Sequence, residues 1–181
     1  NLMAKVFNVG LIGCGHIAET YFRAYKYFNN FKITKCADIN QNAANKCAKI
    51  NKIKAVSIKE LLSDTDIKII LNLTIPAAHY TVAKQALLNG KHVYSEKPLA
   101  INFLDGKKLI KLAKKKKLYV GNAPDTFLGG GSQKSRDLLD KKVIGKVIFG
   151  NAIFAYPGIQ SYHPNPGSWF AKKGGGPVVD M

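Results

Sequence analysis

A chain of 181 residues, 46% hydrophobic and 22% charged, holds one full domain and part of a second, with enough apolar material for a real core. Its formal charge of +17 invites a nucleic-acid role, but the lysines are scattered, and the densest run, 114–117, has no interleaved aromatics to stack on bases. No apolar run approaches the roughly 20 residues of a membrane span, so neither nucleic acid nor membrane is an expected partner.

In chain order, strand and helix patterns alternate with short connections, which predicts an α/β fold with a parallel sheet and helices on both faces. Residues 5–12 form a buried first strand that stops at a glycine, and 16–28 a helix with Ile17, Tyr21, Ala24 and Phe28 on one face. A second strand, 31–37, ends at Asp38, and a polar helix follows over 40–51, capped by Asn40. A short strand at 54–56 and a helix through 60–62 lead to 67–73, the most apolar strand and the expected centre of the sheet. Pro76 opens a helix where its missing N–H costs nothing, and Asn89-Gly90 stops it. A strand at 92–94, a long helix at 102–117 and a strand at 118–122 complete the alternation.

Beyond Asn122 the texture changes. A loop leads to a helix over 132–142 and an alternating strand over 146–155, then to a stretch dense in Pro and Gly around Trp169 and Phe170. The expected division is a nucleotide-binding domain over 3–123 and the opening of an incomplete α+β second domain over 124–181. The chain is therefore expected to be truncated at its C-terminus.

The three cysteines, Cys14, Cys36 and Cys47, are an odd count without metal-type spacing. They read as reduced packing thiols of a cytoplasmic protein, and no metal site is expected. The opening residues lack the apolar stretch of a secretory signal.

Two stretches carry chemistry. The first is Gly13-Cys14-Gly15-His16-Ile17-Ala18, between strand and helix. Gly13 permits the tight turn, Gly15 lets the backbone approach a pyrophosphate, and small Ala18 lets helix and strand pack closely. The helix start offers unpaired N–H groups and a positive dipole end to phosphate. Asp38 ends the second strand about twenty residues on, where a carboxylate accepts the adenosine ribose hydroxyls. That carboxylate repels a 2′-phosphate, and neighbouring Ile39 and Asn40 bring no cation, so NAD is favoured over NADP. The second stretch is Glu96-Lys97-Pro98 at the end of a strand, with Pro98 a candidate cis site. A lysine held there beside the nicotinamide polarises or deprotonates a substrate hydroxyl.

With Asn72-Leu73-Thr74-Ile75-Pro76, His79, Gly90-Lys91-His92-Val93, Gly145-Lys146 and Gly174-Gly175-Gly176-Pro177 before Asp180, these motifs resemble the Gfo/Idh/MocA oxidoreductases. The family takes its name from glucose–fructose oxidoreductase, inositol dehydrogenase and a rhizopine-catabolism protein. The resemblance implies that Gly13, Gly15, His16, Ile17 and Asp38 hold the cofactor, and that Thr74, Pro76 and His79 line its nicotinamide side. It puts Glu96 and Lys97 at the nicotinamide ribose and reaction centre, Lys97 as the catalytic lysine, with Asn122 near the ring. Asp180 matches the aspartate that helps hold the sugar and joins Lys97 as a catalytic residue; His163 and Trp169 are candidate substrate contacts. The histidine that usually follows that aspartate by four residues falls past Met181. In this branch a tyrosine is expected there, leaving more of the proton transfer to Lys97.

The resemblance implies an NAD(P)-dependent dehydrogenase acting on a sugar, polyol or related hydroxyl compound, and a homo-oligomer in the full-length form. Two alternatives remain open at this point: a catalytically silent NAD-binding relative, and an NAD-dependent glycosidase-like enzyme.

Overall fold

A computed structural model describes residues 6–124, 126–153, 155, 157–158 and 167. The six strands are β1 (Phe7–Ile12), β2 (Phe31–Ala37), β3 (Lys54–Ala55), β4 (Ile67–Asn72), β5 (His92–Ser95) and β6 (Val120–Asn122). They form one sheet in the order β3-β2-β1-β4-β5-β6, every pair parallel. Parallel neighbours need crossovers, which α1 (His16–Ala24), α2 (Gln41–Asn51), α3 (Ile58–Ser63), α4 (Pro76–Leu88) and α5 (Phe103–Lys116) supply.

The period-two alternation of β1 sorts the helices onto the two faces. Val9 and Leu11 pack with Ala18 and Phe22 of α1 and Cys47 and Ala48 of α2. Ile12 packs on the other side, with Leu61 of α3, Ala83 and Leu87 of α4, and Leu109 of α5. Both faces of the central strands are thus covered, which is why they read as near-continuous apolar runs. Strand order reverses between β1 and β4, leaving a crevice at their carboxyl ends, where open α/β sheets bind ligands.

Local signals place the helix starts. The Asn40 side chain accepts from the Asn42 and Ala43 amides at 3.0 and 3.3 Å, Ser57 and Glu60 form a reciprocal capping box, and Asn102 accepts from Asp105 N–H at 2.9 Å. Pro76 stands at the first turn of α4.

Two expectations are corrected. The first helix ends at Ala24; Tyr25–Tyr27 tighten into a 3-10 turn and Phe28 is extended. Phe28 stacks on Phe31 at 5.6 Å and Tyr25 lies 6.3 Å from the same ring, so aromatic contacts to β2 outweigh continuation of the helix. The alternating segment expected as a strand over 146–155 forms none among its described residues. Ile148, Phe149 and Ile153 are 93%, 85% and 84% exposed: alternation makes a strand only where a neighbour pairs its backbone and covers one face. Ahead of it, α6 (Gly130–Asp140) buries no residue.

Candidate functional site

The crevice begins at the glycine loop. Gly13 has φ +101°, and a Cβ there would lie 2.5 Å from both the carbonyl carbon and oxygen of Leu73. The loop therefore presses on the end of β4 in a way only glycine allows. Gly15 differs: a Cβ on it would meet nothing within 4 Å, so the backbone faces open space at the entrance to α1. Gly15 is also the N-cap of α1 and gives it no side-chain cap, in contrast to α2, α3 and α5. The first-turn amides and the positive end of the helix dipole are left for an anion from outside. His16 is exposed there, and Ile17 is 37% exposed.

Asp38 closes one side. Its Oδ2 accepts from the Cys14 amide at 2.7 Å, and its Oδ1 from the Asn40 amide at 2.8 Å. The carboxylate is thus fixed against the glycine loop and half-buried. A pyrophosphate cradle with an oriented acid beside it suits a dinucleotide.

On the other side of the switch point, the Glu96-Lys97-Pro98 turn is braced from four directions. The fully buried Asn72 donates through Nδ2 to Ser95 Oγ at 3.1 Å and to the His79 carbonyl at 3.0 Å, and its Oδ1 accepts from Thr74 Oγ1 at 2.7 Å. Asn122 donates to the carbonyls of Ser95 and Glu96, both at 3.0 Å. The Glu96 carboxylate accepts from the Tyr21 hydroxyl at 2.7 Å and the Lys97 amide at 3.1 Å. His79 lies between two carbonyl oxygens, with Nδ1 2.6 Å from Pro98 O and Nε2 2.8 Å from Thr74 O. The Lys97-Pro98 peptide is cis, and Lys97 is half-buried.

The residues expected to line the nicotinamide side are only partly on the surface. Thr74 is half-buried, but His79 is 1% exposed and Pro76 is buried, so neither ring lines the crevice. Pro76, His79, Ala83, Ala86 and Leu87 make up the inward stripe of α4, and it is Ile75, 54% exposed, that faces out. His79 instead ties the β4–α4 turn to the lysine turn. Asp180, His163 and Trp169 lie outside the described residues.

Sequence reasoning missed Tyr21, which reads as one more apolar residue on the α1 face. It also missed Asn72, whose signal was a polar side chain ending the most apolar strand. The three cysteines, 14, 36 and 47, were read separately, yet their sulfurs all lie within 4.8 Å of one another beneath the loop. Cys47 Sγ accepts from Asn51 Nδ2 at 3.8 Å.

Residues 7–123 match the model of a family described as "Oxidoreductase family, NAD-binding Rossmann fold". Among curated relatives, the chain is 34% identical over 125 residues to trans-1,2-dihydrobenzene-1,2-diol dehydrogenase of Xenopus laevis, covering 69% of this chain and 37% of the relative. It is 27% identical over 150 residues to 2,7-anhydro-N-acetylneuraminate hydratase of Escherichia coli, covering 79% of this chain and 38% of that one. Among solved structures it is similar to biliverdin reductase from Synechocystis, crystallised with biliverdin and NADP+, with 30% identity and a TM-score of 0.65 over 74% of this chain and 43% of that one. The chain thus spans less than half the length of these relatives.

Proposed function

The chain belongs to this oxidoreductase family with its NAD-binding Rossmann fold, and on that premise we propose that it holds NAD across the β1/β4 switch point for hydride exchange with a small hydroxyl or carbonyl compound, a sugar or polyol. The observation that carries the proposal is the Asp38 carboxylate fixed at 2.7 Å from the Cys14 amide, beside an uncapped helix start. In this reading the amides of the loop and the first turn of α1, from Gly15 to Ile17, take the pyrophosphate, and Asp38 takes the adenosine ribose hydroxyls. When bound, the nicotinamide supplies the hydride acceptor or donor.

The chain's own residues then orient and exchange protons. Asn122, Asn72 and His79 hold the turn that presents Lys97, and Glu96 sits with Tyr21 at the nicotinamide ribose. Lys97 takes the proton from a substrate hydroxyl or returns it to a carbonyl. Thr74 and the exposed Ile75 flank that end of the crevice. Asp180, with His163 and Trp169, belongs to the substrate side of the proposal.

NAD rather than NADP follows from charge. Asp38 is an acid at the ribose position, and the next residues, Ile39 and Asn40, are an apolar side chain 95% exposed and an amide committed to capping α2. Neither of these two side chains neutralises a 2′-phosphate.

Titrating the chain with NADH and NADPH, and following reduced-nicotinamide fluorescence, tests this. NADH is expected to bind at least ~10-fold more tightly than NADPH. Asp38→Asn should weaken NADH ~10-fold or more, because a hydrogen bond to a charged group contributes about 1.5–3 kcal/mol. The same change should narrow the gap between the two nucleotides. Equal affinity for both would remove the assignment of Asp38, and binding of neither at millimolar concentration would remove the proposal.

A further inference from the structure

We propose that Cys14, Cys36 and Cys47 form a trigonal all-thiolate site for a thiophilic metal ion of the Cu(I) class, placed directly under the glycine loop and coupled to it through Cys14. The residues come from three different elements: Cys14 from the loop after β1, Cys36 from β2 and Cys47 from α2. Their Sγ atoms lie within 4.8 Å of one another. Two thiolates on one ion, each at about 2.3 Å, stand at most about 4.6 Å apart, and about 4.0 Å in a flat trigonal site. A separation of 4.8 Å or less thus needs to shorten by less than about 1 Å to reach that geometry.

The chemistry of the donors selects the ion. All three are soft sulfurs, and among the described residues no histidine or carboxylate joins the group. A hard cation finds no oxygen there, and the four-ligand shell of structural zinc is not filled. The thiols are not committed to strong partners either. Cys14 Sγ points to the Ala37 carbonyl at 3.7 Å, Cys36 Sγ to that of Ala44 at 3.5 Å, and Cys47 Sγ accepts from Asn51 Nδ2 at 3.8 Å, so each thiol releases its proton to solvent and exchanges a weak contact for a metal bond. Cys36 is fully buried and Cys47 is 9% exposed, while the half-exposed Cys14 offers the way in.

Cys14 links the two levels of the structure. Its amide donates up to Asp38, while its sulfur turns down into the cluster. Three thiolates around one monovalent ion leave a charge of about −2 beneath the place where the pyrophosphate is proposed to sit, so ion and dinucleotide oppose one another. By linkage the opposition is reciprocal. The coupling rests on the cofactor reading above; the metal binding does not.

The test uses the whole 181-residue chain, fully reduced and anaerobic, titrated with Cu(I) from a competing chelator. One ion per chain is expected, with a thiolate-to-copper ultraviolet band and X-ray absorption showing three sulfurs at about 2.3 Å. Cys14→Ser, on the accessible side, and Cys47→Ser should each weaken Cu(I) at least ~100-fold while the far-ultraviolet circular dichroism stays that of the parent. Loaded protein should bind NADH at least ~5-fold more weakly than metal-free protein. Fewer than three sulfurs on the ion, Ser variants that bind like the parent, or oxidation of a thiol pair in place of binding would overturn the site. Unchanged NADH affinity in loaded protein would overturn the coupling. If NADH does not bind at all, the copper stoichiometry still decides the metal site on its own.

Discussion

Gly13→Ala should destabilise the chain by about 3–5 kcal/mol, a large part of what a domain of this size has to lose. The added methyl would sit 2.5 Å from Leu73 C and O and 2.7 Å from Thr74 N, and all three atoms are backbone, so no side chain can swing aside. The φ of +101° adds a conformational cost of its own. Relief requires moving the end of β4 away from β1, against the bond Leu73 N–H to Ile12 O at 2.8 Å, or moving the loop itself, against the bond Gly13 N–H to Ala37 O at 3.0 Å on β2. Urea denaturation followed by circular dichroism measures the loss. Gly15→Ala is the contrast: its φ is −79° and the space around it is open, so stability should hold while NADH affinity falls as the methyl enters the ligand's place. A Gly13→Ala chain as stable as the parent would mean that the loop does not press on β4 as described.

Lys97→Met should lower the rate of hydride exchange by about 10²–10⁴-fold, the range over which a positioned acid–base group contributes. The side chain keeps its length and its apolar stem, and the bonds from Asn72, His79 and Asn122 that hold the turn do not involve its ammonium group. NADH affinity should therefore change less than about threefold. The measurement is nicotinamide absorbance with a sugar or polyol that the protein turns over, alongside a binding titration of the same variant. Loss of binding and of rate in equal measure would make Lys97 a cofactor contact rather than the proton carrier.

The fold was largely legible because its signals are local. Each strand of a parallel sheet shows as an apolar run, and three helix starts carry a side-chain capping residue, at Asn40, Ser57 and Asn102. The extent of β2, 31–37, follows from a run that ends in an acid. The glycine loop was legible for the same reason: tight turn, open backbone and small helix residue lie within six positions.

What failed depends on relations between distant segments. Whether His79 faces the crevice or the core turns on the phase with which α4 settles on the sheet, and that phase buried it between Thr74 and Pro98. The Tyr21–Glu96 bond joins positions 75 residues apart, and no spacing rule points to it. The convergence of Cys14, Cys36 and Cys47 follows from the β1–β2 register, with Leu11 beside Cys36, and from the way α2 lies back across that pair. Around residues 146–153 the alternation was real, but alternation encodes only the capacity to pair, and the neighbour decides.

The most direct test is the amide spectrum of isotope-labelled chain as NAD is added. Binding across the switch point predicts that the largest shifts fall on the amides of Cys14, Gly15, His16 and Ile17, with Asn40 and Lys97 following at the two ends. Shifts confined to α5 or the amino edge of the sheet, with the glycine-loop amides unmoved at saturating NAD, would contradict the account.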